Sequence, residues 1–306
     1  MSSQTGGYIA ALVAALLWGV ASPIAMLAFR TGLAPLDVTF WRVALAGLVF
    51  FLQSHWGISE RLSYRQWARA SAFGVIGIAS FYAVYHRAVE EGGVSLAVLL
   101  VYTAPVHIAL AETVIFDVPM TLQKGAGVGL ATGGVGMVAL SGSTASLTSL
   151  DGLLWGALAG FLYSLYYLGG QRLFPRQPLS SIHPIAFPVG ALALFLLATA
   201  TGTGGVRLPS GLLGYLYILW LGVGSTFIGF WTHGIALDRL PATNVSIVTS
   251  LEPLVGSAIA YVWFGERIGF IGSIGAILIL FSTLLIVTDT SSSHYNPGLS
   301  LETRRE

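Results

Sequence analysis

Residues 243–264 read TNVSIVTSLEPLVGSAIAYVWF, a stretch with one charged side chain, Glu252, near its middle. A hydrocarbon core about 30 Å thick needs roughly 20 apolar residues from a crossing helix, and this stretch supplies them. Moved back by 148 positions, it falls on residues 95–116, SLAVLLVYTAPVHIALAETVIF. Pro253 then meets Pro105, Val262 meets Val114 and Phe264 meets Phe116. Upstream, Gly222-Val223 meets Gly74-Val75, Ala236 meets Ala88, and Asp238 meets Glu90 in matching short loops. Six identities among apolar residues carry little weight by number. Their register with the pattern of apolar runs makes them an internal repeat.

The whole chain has the composition that this stretch demands. It has 306 residues, 55% hydrophobic and 9% charged, and a mean hydropathy of +0.79. Soluble domains carry roughly a quarter charged residues. So few charges cannot cover a water-exposed surface, which excludes a soluble enzyme. A net charge of +1 gives no field for nucleic acid. The absence of cysteine removes disulfides, iron–sulfur clusters and thiol chemistry.

Ten apolar runs follow, at Tyr8–Phe29, Leu36–Leu52, Trp67–Ala88, Val94–Phe116, Gly125–Leu140, Gly152–Leu173, Ile182–Ala200, Leu212–Ala236, Thr243–Phe264 and Ile268–Val287. The first lacks a basic leader and is too long for a signal-peptide core, so it reads as a span. The fold expected is an all-α integral membrane protein with ten transmembrane helices in two five-helix repeats, 1–145 and 146–290. A cytoplasmic tail, 291–306, reads as disordered. Five helices per unit is odd, so the second repeat is inverted relative to the first. With the N-terminus inside, nine Lys and Arg residues fall on inner loops and the tail against five outside. That places both termini in the cytoplasm. Short loops and the lack of a targeting extension point to a bacterial inner membrane crossed many times.

Several sequence features resemble the drug/metabolite transporter superfamily, EamA-type. They are Leu16-Leu17-Trp18-Gly19, Phe40-Trp41-Arg42, Tyr102-Thr103-Ala104-Pro105, Leu251-Glu252-Pro253-Leu254 and Phe264-Gly265-Glu266. The resemblance runs from about Tyr8 to Val287. It implies a ten-helix exporter of small metabolites, with helices 1, 3, 4, 6, 8 and 9 around a central cavity opened alternately to either side. Within that superfamily the run Phe81-Tyr82-Ala83-Val84-Tyr85-His86 is similar to the YddG-type exporters of aromatic and other neutral amino acids.

The residues give their own account of the cavity. Ile78, Tyr82 and Tyr85 share one helical face, as do Val98, Tyr102, Pro105 and Ala109. The repeat partner of the second stripe is Ser246, Ser250, Pro253 and Ser257, three hydroxyls in line around a proline. Such hydroxyls either line a wet cavity or bond to their own backbone. Pro105 and Pro253 read as kinks that supply bending points. At an offset near 145, Tyr163 matches Trp18, which puts one aromatic from each half at mid-depth. The substrate-binding set expected is therefore Trp18, Tyr82, Tyr85, Tyr102, Tyr163, Ser246, Ser250 and Glu252.

Glu252 is open to three roles: proton coupling, holding a substrate amine, or a structural acid. Arg42 reads as structural, paired with an acid or with backbone carbonyls. Glu112 and Asp117 read as snorkelling or loop-paired, and Lys124, the single lysine, as a loop residue. No metal-ligand spacing, phosphate loop or hydrolase motif is present in the sequence, so neither cofactor nor enzyme activity is expected. Tyrosines, a tryptophan and hydroxyls suit a neutral or zwitterionic solute with an apolar side chain. The alternatives are a multidrug or cation exporter built on Glu252, and a membrane scaffold with no transport cycle. The inverted repeat argues against the scaffold.

Overall fold

The computed structural model describes residues 3–55, 62–141, 150–172, 179–200, 205–265 and 269–288. The tail 291–306 lies outside them. The first two spans are single helices, α1 (Ser3–Phe29) and α2 (Pro35–His55). The third is composite: α3 (Tyr64–Phe73), a π-helical turn (Gly74–Ser80) and the first part of α4 (Phe81–Val101). Gly93, at φ 78° and ψ 163°, ends that span, and the rest of α4 opens the fourth. After α5 (Ala104–Val114) come α6 (Leu122–Ser141), α7 (Leu150–Arg172) and α8 (Leu179–Ala200). The eighth span repeats the plan of the third: α9 (Gly211–Leu219), a π-helical turn (Trp220–Ile228) and α10 (Gly229–Leu237). The chain ends with α11 (Ala242–Thr249), α12 (Glu252–Phe264) and α13 (Phe270–Val287).

Nine helical segments among the described residues are long and apolar enough to cross a membrane. Their outer faces present Leu212, Leu216, Phe270 and Leu284 among many exposed apolar side chains, as lipid-facing helices do. α6 is not among the nine: it is 20 residues long, but its glycines dilute its hydropathy. Those glycines serve close packing. An ideal Cβ on Gly134 would lie 2.7 Å from the Gly275 carbonyl, and one on Gly275 would lie 2.5 Å from that of Gly134. Backbone thus meets backbone where α6 crosses α13. Lys124 stands in the first turn of α6 and is buried, not in a loop.

The internal repeat is visible in the interruptions of the helices. Val101 and Thr249 end α4 and α11, and Ala104 and Glu252 begin α5 and α12, each pair separated by the same 148 residues as the sequence match. Ser80 and Ile228, which end the two π-helical turns, keep that spacing. The two prolines do not kink continuous helices, as the sequence suggests. Each opens a new helix, Pro105 on α5 and Pro253 on α12, where its missing N–H is no loss.

Two sets of polar contacts define the ends of the bundle. At one end the Tyr8 hydroxyl donates to the Ile286 carbonyl (2.9 Å), tying the start of α1 to the end of α13. Asn244 donates to Tyr8 (2.9 Å), and Gln171 donates to the Leu237 and Leu240 carbonyls that end α10. At the opposite end Asp37 accepts from Arg207 N–H (2.9 Å), and Trp41 donates to the Arg207 carbonyl (2.8 Å).

Candidate functional site

The two helix breaks face each other at the centre of the bundle. Tyr102 caps the end of α4, and its hydroxyl is the side-chain partner of the Glu252 carboxyl at the start of α12. One break belongs to each repeat, so the contact joins the halves at equivalent places. A carboxylate in the first turn of a helix is favoured by the N-terminal end of the helix dipole. Breaks of this kind give a membrane interior the free backbone and polar termini that an unbroken helix denies it.

Tyrosines surround Glu252. Tyr82, Tyr85, Tyr102, Tyr163 and Tyr167 all lie within electrostatic reach of it or of one another. Tyr82, Tyr85, Tyr163 and Glu252 are deep within the protein yet remain part-exposed. Depth together with exposure means an internal void, because lipid-facing side chains are exposed without being deep. Beside them a narrow crevice of about 10 Å³ is lined by Gly77, Ile78, Phe81, Tyr82, Tyr163, Tyr166 and Phe230. Ligand pockets commonly enclose about 300–1,000 Å³, whereas this crevice has room for about one water, so the rings around it must part to admit a solute.

Phe81 organises the wall. It stacks on Tyr163 (4.9 Å between centroids, 23°) and on Tyr85 (6.0 Å, 25°), and tilts against Tyr82 (5.1 Å). Tyr163 meets Tyr167 edge-on, and the Tyr167 hydroxyl bonds that of Thr249 at 2.9 Å, at the end of α11. The π-helical turn before Phe81 shifts the helical register, which sets Ile78 and Tyr82 on the crevice and Tyr85 toward Glu252. Such turns recur at functional positions in helices.

Arg42 also belongs here, which the sequence reading did not foresee. Among the described residues it pairs with neither an acid nor a carbonyl. Its Nε donates to Thr226 Oγ1 (2.9 Å), its Nη2 to Ser225 Oγ (3.2 Å), and its guanidinium stands 5.7 Å from the centroid of the Tyr82 ring. Both hydroxyls come from the second π-helical turn. Thr39 and His86 bond at 2.7 Å near Arg42, closing this side of the cage.

Three expected site residues stand elsewhere. Trp18 is 5% exposed, packs on Phe230 and His233 (5.0 Å each), and its Nε1 has no hydrogen-bond partner among the described residues. It supports the wall from one layer behind. Ser246 and Ser250 are buried and donate to the Thr243 and Ser246 carbonyls of their own helix (2.8 and 2.9 Å). Of the two readings of that stripe, the geometry gives backbone bonding. Glu112 neither snorkels nor lies at a loop. It is 2% exposed and accepts from Ala242 N–H (2.9 Å), Thr243 N–H (3.2 Å) and Thr243 Oγ1 (2.6 Å). No group of three or more metal-ligating side chains occurs among the described residues.

Comparison with known proteins agrees with this architecture. The model of the EamA-like transporter family matches twice, at residues 5–140 and 150–288. The uncharacterised transporter YwfM of Bacillus subtilis (strain 168) is 24% identical over 90% of this chain and 91% of its own. The uncharacterised inner membrane transporter YicL of Salmonella typhimurium is 23% identical over 95% and 98%. A probable terminal-alkyne amino-acid exporter of Streptantibioticus cattleyicolor is 25% identical over 70% of each chain. A solved crystal structure shares the fold with a TM-score of 0.78, over 94% of this chain and 99% of the other, at 18% identity. With two repeats matched across most of its length, the chain is a multi-pass membrane protein and belongs to the EamA-like transporter family.

Proposed function

We propose that the protein exports small neutral or zwitterionic solutes, foremost amino acids with aromatic or apolar side chains, through the tyrosine cage between its repeats. The observation that carries this reading is the set of deep, part-exposed tyrosines around Glu252 where the two helix breaks meet. Aromatic faces give contact area to an apolar side chain, while hydroxyls and the carboxyl orient its polar end. Tyr82, Tyr85, Tyr102, Tyr163 and Glu252 are the binding residues in this reading. Trp18 backs the wall, and Ser246 and Ser250 rigidify α11.

Alternating access between inverted repeats is the mechanism proposed. Ten crossings are supported by a parity argument. The Tyr8–Ile286 bond brings the start of α1 and the end of α13 to one face, which requires an even number of crossings. The tenth is then α6. The excess of basic residues on that face supports cytoplasmic termini and, with short loops, a bacterial inner membrane. The named amino-acid exporter among the relatives supports the substrate class. A cation exporter using Glu252 is disfavoured by Arg42, which brings a positive charge to the same cage.

The test is exchange of labelled phenylalanine in proteoliposomes. Tyr82→Ala and Tyr102→Ala are each expected to slow it roughly tenfold, the loss of about 1.4 kcal/mol of contact. Folding is checked by membrane abundance and thermal midpoint, because Tyr82 is part-exposed whereas Tyr102 is buried against Val135, Val138 and Ile279. Wild-type rates in both variants at equal abundance remove the cage from the pathway.

A further inference from the structure

Arg42 and Glu252 bring opposite charges to one cage, and among the described residues neither has an opposite charge within 4.0 Å. Among the described residues the ion pair within 4.0 Å is Arg87–Glu90, at the mouth of the third span. Among the described residues the groups that hold Arg42 are neutral. The Thr226 hydroxyl gives its own hydrogen to the Leu221 carbonyl across the wide turn (2.8 Å), so it meets Arg42 Nε as an acceptor. Ser225 takes one more guanidinium hydrogen, and the Tyr82 ring covers a face. A guanidinium has five N–H donors, and these contacts use two. Glu252 has the Tyr102 hydroxyl as side-chain partner, while a carboxylate offers about four acceptor positions. Tyr82 and Tyr85 lie within reach of both charges and stand between them.

The energetics select the ligand. A cationic solute would satisfy Glu252 and leave Arg42 facing a second positive charge. An anionic one would do the reverse. In a low-dielectric interior an unmatched charge is costly, whereas a zwitterion meets both and leaves the cage neutral. We infer that the cage reads the zwitterion itself, with Arg42 taking the solute's carboxylate through its planar fork and Glu252 its ammonium. The apolar side chain then goes between Phe81, Tyr163 and Phe230, whose rings part to admit it. Arg42 is thus a specificity-determining residue supplied by the second span, and Thr226 is its positioning residue. The assignment rests on the transport reading above.

The experiment is competition against labelled phenylalanine exchange in proteoliposomes at pH 7. The competitors are phenylalanine, phenethylamine (no carboxylate) and N-acetylphenylalanine (no ammonium). In the wild type, the two single-charge compounds are expected to compete roughly 30-fold more weakly than phenylalanine. Arg42→Gln is expected to bring phenylalanine down to the level of phenethylamine. Thr226→Val keeps the charge but frees the fork, and is expected to raise the KM for phenylalanine with little change in maximal rate. If either single-charge compound competes as well as phenylalanine in the wild type, or Arg42→Gln preserves the full preference, the assignment is overturned. If the wild type exchanges no phenylalanine at all, the transport reading itself falls. The wild-type ratios need no variant, so a misfolded Arg42→Gln protein leaves the proposal open to refutation.

Discussion

Glu112→Ala is expected to lower stability by about 3 kcal/mol, because it leaves three buried donors without their acceptor. Both carboxyl oxygens of Glu112 are engaged, and they hold the first two N–H groups of α11 and the hydroxyl of Thr243. Every residue of α11 is buried, so no water replaces the acceptor once it is gone. The carboxyl comes from α5 in the first repeat, while α11 belongs to the second. The bond therefore staples the terminus-bearing halves of the two broken helices to each other. Glu112→Gln keeps one acceptor oxygen and is expected to cost roughly half as much. The check is the thermal unfolding midpoint of the detergent-purified variants. An alanine variant that melts with the wild type would show that the cap contributes nothing.

Glu252→Gln is expected to slow downhill exchange of phenylalanine roughly 30-fold and to do so equally with and without a pH gradient. The substitution preserves shape and one hydrogen-bond acceptor but removes the charge that faces the solute's ammonium. A coupling acid would behave differently, losing gradient-driven accumulation while exchange survived. A structural acid would tolerate glutamine with little change in either assay. Exchange rates of one mutant under two conditions separate the three roles. Intact exchange with failed accumulation would contradict substrate binding by Glu252. Because Tyr102 is the protein partner of that carboxyl, Tyr102→Phe is the natural companion variant.

The helices were legible because lipid imposes one rule on all of them. Runs such as Tyr8–Phe29 need only length and few charges to be recognised, and α1 covers that run. The interruptions were less so. A proline inside an apolar run has the same local signature whether it bends a helix or begins one. The structure begins new helices at Ala104 and Glu252, and the turns at Tyr102-Thr103 and Ser250-Leu251 had no marker of their own. The π-helical turns had none either.

At the site, the repeat named Tyr163, and periodicity named Tyr82, Tyr85 and Tyr102 because it finds the inward face of a helix. It does not fix a rotamer, so the stripe of Ser246 and Ser250 looked like a cavity wall while its hydroxyls turn to their own backbone. Nor does it find partners. Arg42 announced itself as a charge within an apolar run, but Thr226 and Ser225 are 184 and 183 residues away along the chain. Glu112 meets α11 across 130 residues or more. Phe81, Tyr166 and Phe230 reach the crevice through the packing of three separate spans, which no local pattern encodes.

The central claim is that a single cavity between the repeats opens to each side of the membrane in turn. The chain has no cysteine, so one introduced thiol reports its surroundings without background. The measurement is modification of Tyr163→Cys by a membrane-impermeant thiol reagent applied separately to each face of sealed, oriented vesicles, with and without phenylalanine. The account predicts reaction from either face, slowed from both by phenylalanine. Reaction from neither face, or from one face alone with no protection, would contradict it.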